Sequence, residues 1–256
     1  MMKWSESVNR TDNAMSWSLE GFTNPLKFAP GEGWAYGTSL DWAGLVLEAI
    51  TGQTLAEYMK EHIFEPLGMT STSFNISTIP GIDDRIVDWA KPSTCDPDLL
   101  VPGTPPWPTE FSMYSGGAGL FTTTSDYIKF LGALLRGELL KDSTRELMFT
   151  PNLTDTEHEA LANATAGEMW DFYVPEIDPP HAPIDFGLSG ILNLEDSPGK
   201  RRKNSLMWSG ASNGRWWIDR ETGIAAAMTT QLEPFNHPLA IQVWRDLEKA
   251  VYEHLL

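Results

Sequence analysis

Cysteine is almost absent from this chain, because Cys95 is the only one among 256 residues. One cysteine cannot form an internal disulfide, and no His or Cys spacing is typical of a zinc site. The sequence therefore predicts neither a disulfide framework nor a bound metal, and it implies no organic cofactor. The low cysteine content favours the cytoplasm slightly, although no address signal establishes a compartment.

Basic residues and long apolar runs are also scarce. Eighteen Lys and Arg residues stand against 35 Asp and Glu, which gives a formal net charge of -17 at pH 7. Phosphate backbones and anionic surfaces attract basic proteins, so we expect neither nucleic acid nor a membrane as a partner. No run approaches the ~18 apolar residues of a membrane helix, and the opening MMKWSESVNR lacks the apolar part of a signal peptide. A soluble chain with a substantial core is expected.

Residues 28–69 hold the densest local signals. A helix is predicted to begin at its N-cap, Ser39, and to end at Gly52. Apolar residues recur there at helical spacing, which predicts one buried stripe. Its members are Leu40, Ala43, Leu47 and Ile50.

A second helix is predicted directly afterwards. Thr54 and Glu57 have the spacing of a capping box, and Pro66 with Gly68 predicts the end. Its buried side is predicted to consist of Leu55, Met59 and Ile63. Tyr36 lies on the loop ahead of both helices, where a tyrosine either packs or takes part in chemistry.

The middle of the chain is less regular. Residues 79–108 are rich in Pro, Gly and Asp and read as an irregular loop set. Helices are predicted from Ser125 to Gly137 and over residues 143–149, followed by an acidic, turn-rich stretch to Asp185. FGLSGILNL reads as one strand, and the basic residues 200–203 read as a solvated turn.

The last third has the clearest β signal. Strands are predicted over residues 206–208, 215–219 and 224–230, and a helix is predicted from Pro238. The apolar side of that helix is predicted to hold Leu239, Val243, Leu247, Val251 and Leu255. Antiparallel strands with flanking helices define an α+β fold.

One catalytic motif is present literally. Residues 210–214, GASNG, match G-x-S-x-G, and Asp219 and His237 follow in the order of an α/β-hydrolase triad. That motif requires a strand, a sharp turn and then a helix, whereas RWWID is strand-like. Ser212 as a nucleophile and Ser212 as a hairpin-loop residue remain alternatives.

Four blocks occur together in one order. They are Pro30-Gly31-x-x-Trp34-x-Tyr36 with Thr51-Gly52, the Pro-Leu-Gly-Met of residues 66–69, the Tyr-Ser-Gly-Gly of residues 114–117, and Trp208-Ser209-Gly210. With these blocks the chain resembles the serine β-lactamase-related family, which includes class C β-lactamases, penicillin-recognising esterases and lovastatin-type acyltransferases. The resemblance implies a β-lactamase/transpeptidase-like fold, with an antiparallel sheet flanked by helices and a helical region.

The resemblance also implies site residues and a substrate class. Tyr36 would be a general base, and Thr38 stands where many relatives have Asn or Ser. Trp208, Ser209 and Gly210 would line the active site, and the N–H of Ala211 would be an oxyanion donor. Relatives that bind a β-lactam carboxylate carry Lys or His at the position of Trp208. A small-molecule ester, thioester or amide is therefore the expected acyl substrate.

The family's nucleophile is not found. It is the serine of Ser-x-x-Lys at a helix start, and here Ser197 is the only serine three residues before a lysine. Pro198 and Gly199 exclude a helical turn at that point. Residues 1–256 are therefore expected to be a partial, later portion of the family domain, without its first strands and nucleophile helix, and inactive as written. The alternative is a non-catalytic remnant that binds a ligand or partner.

Overall fold

The computed structural model describes residues 2–108, 110–174, 177 and 180–255. The chain divides into two compact units. Unit 1 combines residues 1–29, 36–85 and 105–126, and unit 2 combines residues 30–35, 86–104 and 127–256.

Unit 1 is mainly helical. Its α-helices are α1 (Met2–Ser7), α2 (Leu19–Phe22), α3 (Ser39–Thr51), α4 (Leu55–Met59) and α5 (Glu65–Leu67). A π-helix, Lys60–Phe64, connects α4 to α5, and short 3-10 helices cover Ala14–Ser16 and Ile76–Thr78. The buried apolar side chains of this unit include Trp17, Phe22, Leu55, Phe64, Met69 and Phe74.

The two predicted helices of residues 28–69 are confirmed. Gly52 and Gly68 end them in the left-handed conformation, at φ of 72° and 63°. Thr54 and Glu57 form the predicted capping box at the start of α4. The predicted buried position at Ile63 is wrong, because Phe64 is buried in its place. The wider π-turn explains the change, since an extra residue per turn moves the buried position along the chain.

The predicted buried stripe of α3 is also wrong. Leu40 and Ile50 are 53% and 79% exposed, whereas Asp41 and Gly44 are buried. A Cβ added to Gly44 would lie 3.2 Å from Leu55, so α3 uses a small residue for a close approach to α4. Close packing at Gly44 and hydrogen bonds at Asp41 therefore orient α3, and its apolar side remains exposed.

Unit 2 contains the strands. Its elements in chain order are β1 (Ala90–Pro92), β2 (Leu100–Pro102), α6 (Thr124–Arg136, beginning in unit 1), α7 (Asp142–Met148), α8 (Asp155–Ala164), α9 (Glu168–Tyr173), β3 (Ile184–Phe186), β4 (Ile191–Asn193), β5 (Leu206–Ser209), β6 (Arg215–Asp219), β7 (Ile224–Met228) and α10 (Pro238–Leu255).

Among the described residues, β3 to β7 form one antiparallel sheet in sequential order. Two helical layers cover its faces. On one face Trp217 of β6 packs with Trp244 and Tyr252 of α10, and on the other Ile218 packs with Leu131 of α6. Successive residues of β6 thus enter opposite layers, as the alternation of a strand requires. The predicted α+β class is confirmed.

Several sequence predictions need correction here. Residues 79–108 include the hairpin β1–β2, and the stretch read as acidic turns contains α8 and α9. FGLSGILNL is not one strand, because the chain turns between β3 and β4. In α10 the buried line is not the predicted one, since Trp244 and Glu248 are buried while Leu239 and Val243 are exposed.

The basic turn at residues 200–203 is not wholly solvated, because Arg201 is 1% exposed. Its Nε lies 2.6 Å from Glu248 Oε1, and its guanidinium carbon lies 5.2 Å from the Trp217 ring centroid. Glu248 of α10 is 0% exposed, so each of these two buried charges has the other as its partner.

Candidate functional site

The Trp208-Ser209-Gly210 segment ends β5 and enters a hairpin. Ser209 pairs with Arg215 across the sheet, and the Gly210 N–H donates to the Gly214 carbonyl over 2.9 Å. Residues 210–214 thus form the loop between two antiparallel strands. Ser209 is the last strand residue before this loop, and Gly210 is its first residue.

Asn213 anchors this loop. Its side chain is 0% exposed, and its Nδ2 donates to the carbonyls of Leu232 and Pro234 over 2.7 and 2.9 Å. Its Oδ1 accepts from the His237 N–H over 3.0 Å. Asn213 also has φ of 65°, a conformation that asparagine tolerates better than most residues. Asn213 is not among the predicted site residues, although an Asn-Gly pair in a hairpin loop is a signal for it.

Ala211 lies at the exposed tip of the loop. Within the described part of the chain its N–H donates to no acceptor. A backbone donor held on a fixed loop and directed to no protein group is suited to bind a developing oxyanion.

An aromatic row connects β5 with the segment before Tyr36. The Trp34 and Phe186 ring centroids lie 5.9 Å apart, and Phe186 and Trp208 lie 5.6 Å apart in an edge-to-face arrangement. All three rings belong to unit 2. The Pro-Gly-x-x-Trp-x-Tyr segment and the Trp-Ser-Gly strand, distant in sequence, therefore meet through Phe186.

Tyr36 and Thr38 belong to unit 1. Tyr36 precedes α3 and is 59% exposed, so its ring is not a core residue. The Thr38 Oγ1 donates to the Phe22 carbonyl over 3.3 Å, and Trp42 Nε1 donates to the same oxygen over 3.1 Å. The hydroxyl proton of Thr38 is thus used within the protein.

The Tyr-Ser-Gly-Gly corner is fixed to the first turn of α3. Asp41 accepts hydrogen bonds from Ser115 Oγ over 2.5 Å and from the Gly117 N–H over 3.1 Å. A Cβ on Gly116 would collide with the Leu40 carbonyl, so glycine is required for this approach. Asp41 therefore connects the corner to the helix that Tyr36 precedes, and no sequence motif predicts this role.

The α/β-hydrolase alternative is wrong. Ser212 lies between two antiparallel strands, and the element directly after it is strand β6 and not a helix. The other two members of the triad are engaged elsewhere: Asp219 accepts from Tyr252 Oη over 2.7 Å, and His237 Nδ1 accepts from the Leu239 N–H. Ser197 is no nucleophile either, because it lies in a turn that its carbonyl closes with the Lys200 N–H.

Asp219 has a structural role in this network. Its carboxylate accepts hydrogen bonds from Tyr252 Oη, Thr222 Oγ1 and the N–H groups of Arg202, Glu221 and Thr222. Burial raises the pKa of Asp219, but the hydrogen bonds outweigh it, and the pKa lies below its usual range. Burial and the bond to Asp219 raise the pKa of Tyr252.

Unit 1 also contains a cavity of about 580 Å³. Phe74 and Tyr114 form part of its wall, with ring centroids 5.2 Å apart, and the exposed ion pair of Lys60 and Glu65 lies at its lining. Neither Tyr36 nor Thr38 lines this cavity.

The described residues include no cluster of three His, Cys, Asp or Glu side chains that could hold a metal. No described helix has the length and apolarity to cross a membrane.

Comparison with known proteins identifies the family. Residues 20–250 match the Beta-lactamase family, which is most of the chain. The chain therefore belongs to the β-lactamase family, and the resemblance drawn from its four sequence blocks is confirmed.

Its relatives include esterases and acyltransferases. Lovastatin esterase of Penicillium rubens is 36% identical over 90% of this chain and 58% of the enzyme. Monacolin J acid methylbutanoyltransferase of Aspergillus terreus is 35% identical over 87% of this chain and 55% of the enzyme. The structure of unliganded simvastatin synthase of Aspergillus terreus superposes with a TM-score of 0.84 at 31% identity, covering 99% of this chain and 61% of that one. The chain thus spans little more than half the length of these relatives.

Proposed function

We propose that this chain is part of a serine esterase or acyltransferase that acts on a small ester, thioester or amide. The aromatic row of Trp34, Phe186 and Trp208 carries the proposal, because it brings together two motifs of the family. The names of the two enzyme relatives, one an esterase and one a methylbutanoyltransferase, support release of the acyl group to water or to an alcohol.

Tyr36 is proposed as the general base. In the family pattern a serine of Ser-x-x-Lys attacks the carbonyl carbon, and its proton passes to the tyrosine oxygen and then to the leaving group. Tyr36 is 59% exposed and lies on the loop directly before α3, which supports this assignment. These 256 residues hold no helical Ser-x-x-Lys, so the nucleophile and its lysine are proposed to come from outside them.

Ala211 and Trp208 are proposed to act on the substrate. The Ala211 N–H would stabilise the oxyanion of the tetrahedral intermediate, a contribution worth roughly 10²- to 10³-fold in comparable enzymes. Trp208 offers an apolar surface and no cation, so a β-lactam carboxylate finds no ionic partner at this position. Esters of uncharged acyl groups are the expected substrates, and nitrocefin is not.

A chimera tests this proposal. This chain replaces the part of Penicillium rubens lovastatin esterase with which it aligns, so the relative supplies the remaining sequence. We expect hydrolysis of p-nitrophenyl esters, and we expect Tyr36→Phe to lower kcat by roughly 10²- to 10⁴-fold, the usual contribution of a general base. The isolated 256-residue chain should show background rates.

Two matched variants separate chemistry from structure. Tyr58→Phe removes a hydroxyl from α4 of the same unit, and Ser212→Ala removes the hairpin-loop hydroxyl. Both should leave kcat within about twofold. Turnover that survives Tyr36→Phe but is lost in Ser212→Ala would contradict the proposal.

A further inference from the structure

The cavity of unit 1 takes no part in the proposed acyl chemistry. Its volume of about 580 Å³ lies within the roughly 300–1,000 Å³ that pockets for small molecules usually have. Its lining residues all belong to unit 1, and several of them are buried apolar side chains. These buried side chains include Phe64, Met69, Phe74 and Ile79. The cavity therefore has the size and the apolar wall of a ligand site.

The π-helix forms one side of this cavity. It covers Lys60–Phe64, and its first and last residues both line the cavity. The π-turn also places Phe64 rather than Ile63 in the buried position. Turns of this kind are rare inside helices and occur frequently at functional sites. The backbone thus departs from α-helical geometry at the point where it contributes to the cavity wall.

Three hydroxyl groups of the lining already have protein partners. Thr72 Oγ1 donates to Asp126 Oδ2 over 3.2 Å. Thr78 Oγ1 donates to the Asn75 carbonyl over 2.7 Å and lies 3.0 Å from Ser73 Oγ. A neutral polar ligand such as a sugar would have to compete with these hydrogen bonds, so the lining is poorly suited to a polyhydroxylated ligand.

The charged groups of the lining favour a cation. Among the described residues that line the cavity, Lys60 is the one positive side chain, and its Nζ lies 3.7 Å from Glu65 Oε1. Glu57 is a second carboxylate, and hydrogen bonds from the Thr54 N–H and hydroxyl lower its pKa, so it stays ionised at neutral pH. One negative charge is therefore in excess at the lining, and the whole chain has a formal net charge of -17. Both charges attract a cation and repel an anion.

Aromatic rings supply the second element of recognition. The Phe74 and Tyr114 ring centroids lie 5.2 Å apart with their planes at 50°, and Phe64 lines the same cavity. The face of an aromatic ring attracts an ammonium group, and the attraction is stronger where water is excluded. We propose that this cavity binds a small organic cation in which an ammonium group is joined to an apolar body. The apolar body contacts the buried wall, and the ammonium group lies near the rings and Glu57.

Calorimetry on the 256-residue chain tests the proposal independently of the acyl chemistry, because binding requires no turnover. The probes are benzyltrimethylammonium, benzyl alcohol and phenylacetate, which share one aromatic ring and differ in charge. We expect benzyltrimethylammonium to bind roughly tenfold more tightly than benzyl alcohol, because only the cation gains from the rings and the carboxylate. Phenylacetate should bind most weakly of the three.

Two glutamate substitutions provide a matched pair on neighbouring turns. Glu57→Gln removes the charge at the cavity, and glutamine can still complete the capping box with Thr54. It should weaken binding of benzyltrimethylammonium about three- to fivefold and leave that of benzyl alcohol unchanged. Glu61→Gln removes an exposed charge that does not line the cavity, and should change the affinity by less than about 1.5-fold.

Two tyrosine substitutions test the rings. Tyr114→Leu keeps an apolar side chain but removes a ring of the cavity wall, and should weaken binding of benzyltrimethylammonium about fivefold or more. Tyr58→Leu removes a half-buried ring of α4 that does not line the cavity, and should have little effect. Thermal melts compare the folding of the two variants. Glu57 is exposed, so its substitution tests the proposal even if Tyr114→Leu does not fold.

Three results would overturn the proposal. One is equal affinity for benzyltrimethylammonium and benzyl alcohol, or binding of neither. Another is an equal loss of affinity in Glu57→Gln and Glu61→Gln. The third is binding by the 256-residue chain that is lost in the lovastatin esterase chimera, which would show that further sequence of the domain fills the cavity.

Discussion

Ser115 Oγ donates a 2.5 Å hydrogen bond to the buried carboxylate of Asp41, across 74 positions of sequence. Asp41 also accepts the Gly117 N–H, so one side chain connects the Tyr-Ser-Gly-Gly corner to the first turn of α3. An acidic residue in that turn also interacts favourably with the positive end of the helix dipole.

Removal of the Asp41 carboxylate should destabilise unit 1. Asp41→Ala leaves the buried Ser115 hydroxyl and the Gly117 N–H without an acceptor, at a cost of about 2–4 kcal/mol in the free energy of unfolding. Urea denaturation measures the loss, and Asp84→Ala, an exposed carboxylate of the same unit, serves as the control. A double-mutant cycle with Ser115→Ala should show coupling, and additive effects would contradict a direct bond.

Removing one partner of the buried Arg201–Glu248 pair should lower the free energy of unfolding strongly, whereas replacing both with apolar residues should lower it little. Glu248→Ala leaves a guanidinium without a counter-charge beneath Trp217, and should cost about 3–5 kcal/mol in unfolding free energy. Arg201→Met combined with Glu248→Leu removes both charges and should recover most of that loss. Lys249→Ala, on the exposed side of α10, is the control. If the double variant is as unstable as Glu248→Ala, then burial of the charge is not the cause.

Asn213 should control the shape of the loop that carries Ala211. Asn213→Ala leaves three backbone groups without their partner and places a β-carbon at positive φ, so a loss of about 2–4 kcal/mol is expected. In the esterase chimera, kcat should fall more than the affinity for substrate, because the oxyanion donor is displaced. Asn213→Gly restores only the backbone freedom and should recover no more than about 1 kcal/mol; full recovery would show that the hydrogen bonds are dispensable.

Asp219 should make the stability of unit 2 sensitive to acid. Its pKa is lower in the folded chain than in the unfolded chain, so its contribution is present above the unfolded pKa of about 4 and is lost as the pH falls through the folded value. Asp219→Asn should therefore be less stable than the parent at pH 7, and the difference should shrink below about pH 4. Urea midpoints between pH 3 and pH 7 test this, and a constant difference would contradict it.

Local sequence signals predicted the two helices of residues 28–69 and the last three strands well. The helix caps at Thr54 with Glu57 and at Gly52 and Gly68 depend only on residues within one or two helical turns. Their effect can therefore be predicted from the neighbouring sequence. Helices α8 and α9 were missed because their acidic, turn-rich sequence hides a weak apolar pattern. In α8 only Leu161 is buried.

The buried sides of α3 and α10 could not be read from apolar periodicity. Gly44 and Asp41 orient α3, and Glu248 is buried in α10 because Arg201 reaches it from a turn 47 positions earlier. Such partners are distant in sequence. Apolar periodicity detects neither a close helix contact at a glycine nor a charged residue that is buried with its partner. The same limit applies to the candidate site. Tyr36 and Trp208 were selected by motif, whereas Phe186, which connects Trp34 to Trp208, belongs to no motif.

The chain passes between the two units after residues 29, 35, 85, 104 and 126. Trp34 lies far ahead of Phe186 and Trp208 in the chain, so it finds its aromatic partners only when both have been synthesised. During translation, residues 30–35 therefore cannot dock until about two-thirds of these 256 residues have been added after them. Because the loop to be closed is so long, we expect this docking to be a slow, late step of folding. Neither unit can be released by one proteolytic cut, and an expression fragment that stops before Phe186 should leave Trp34 without its aromatic partner.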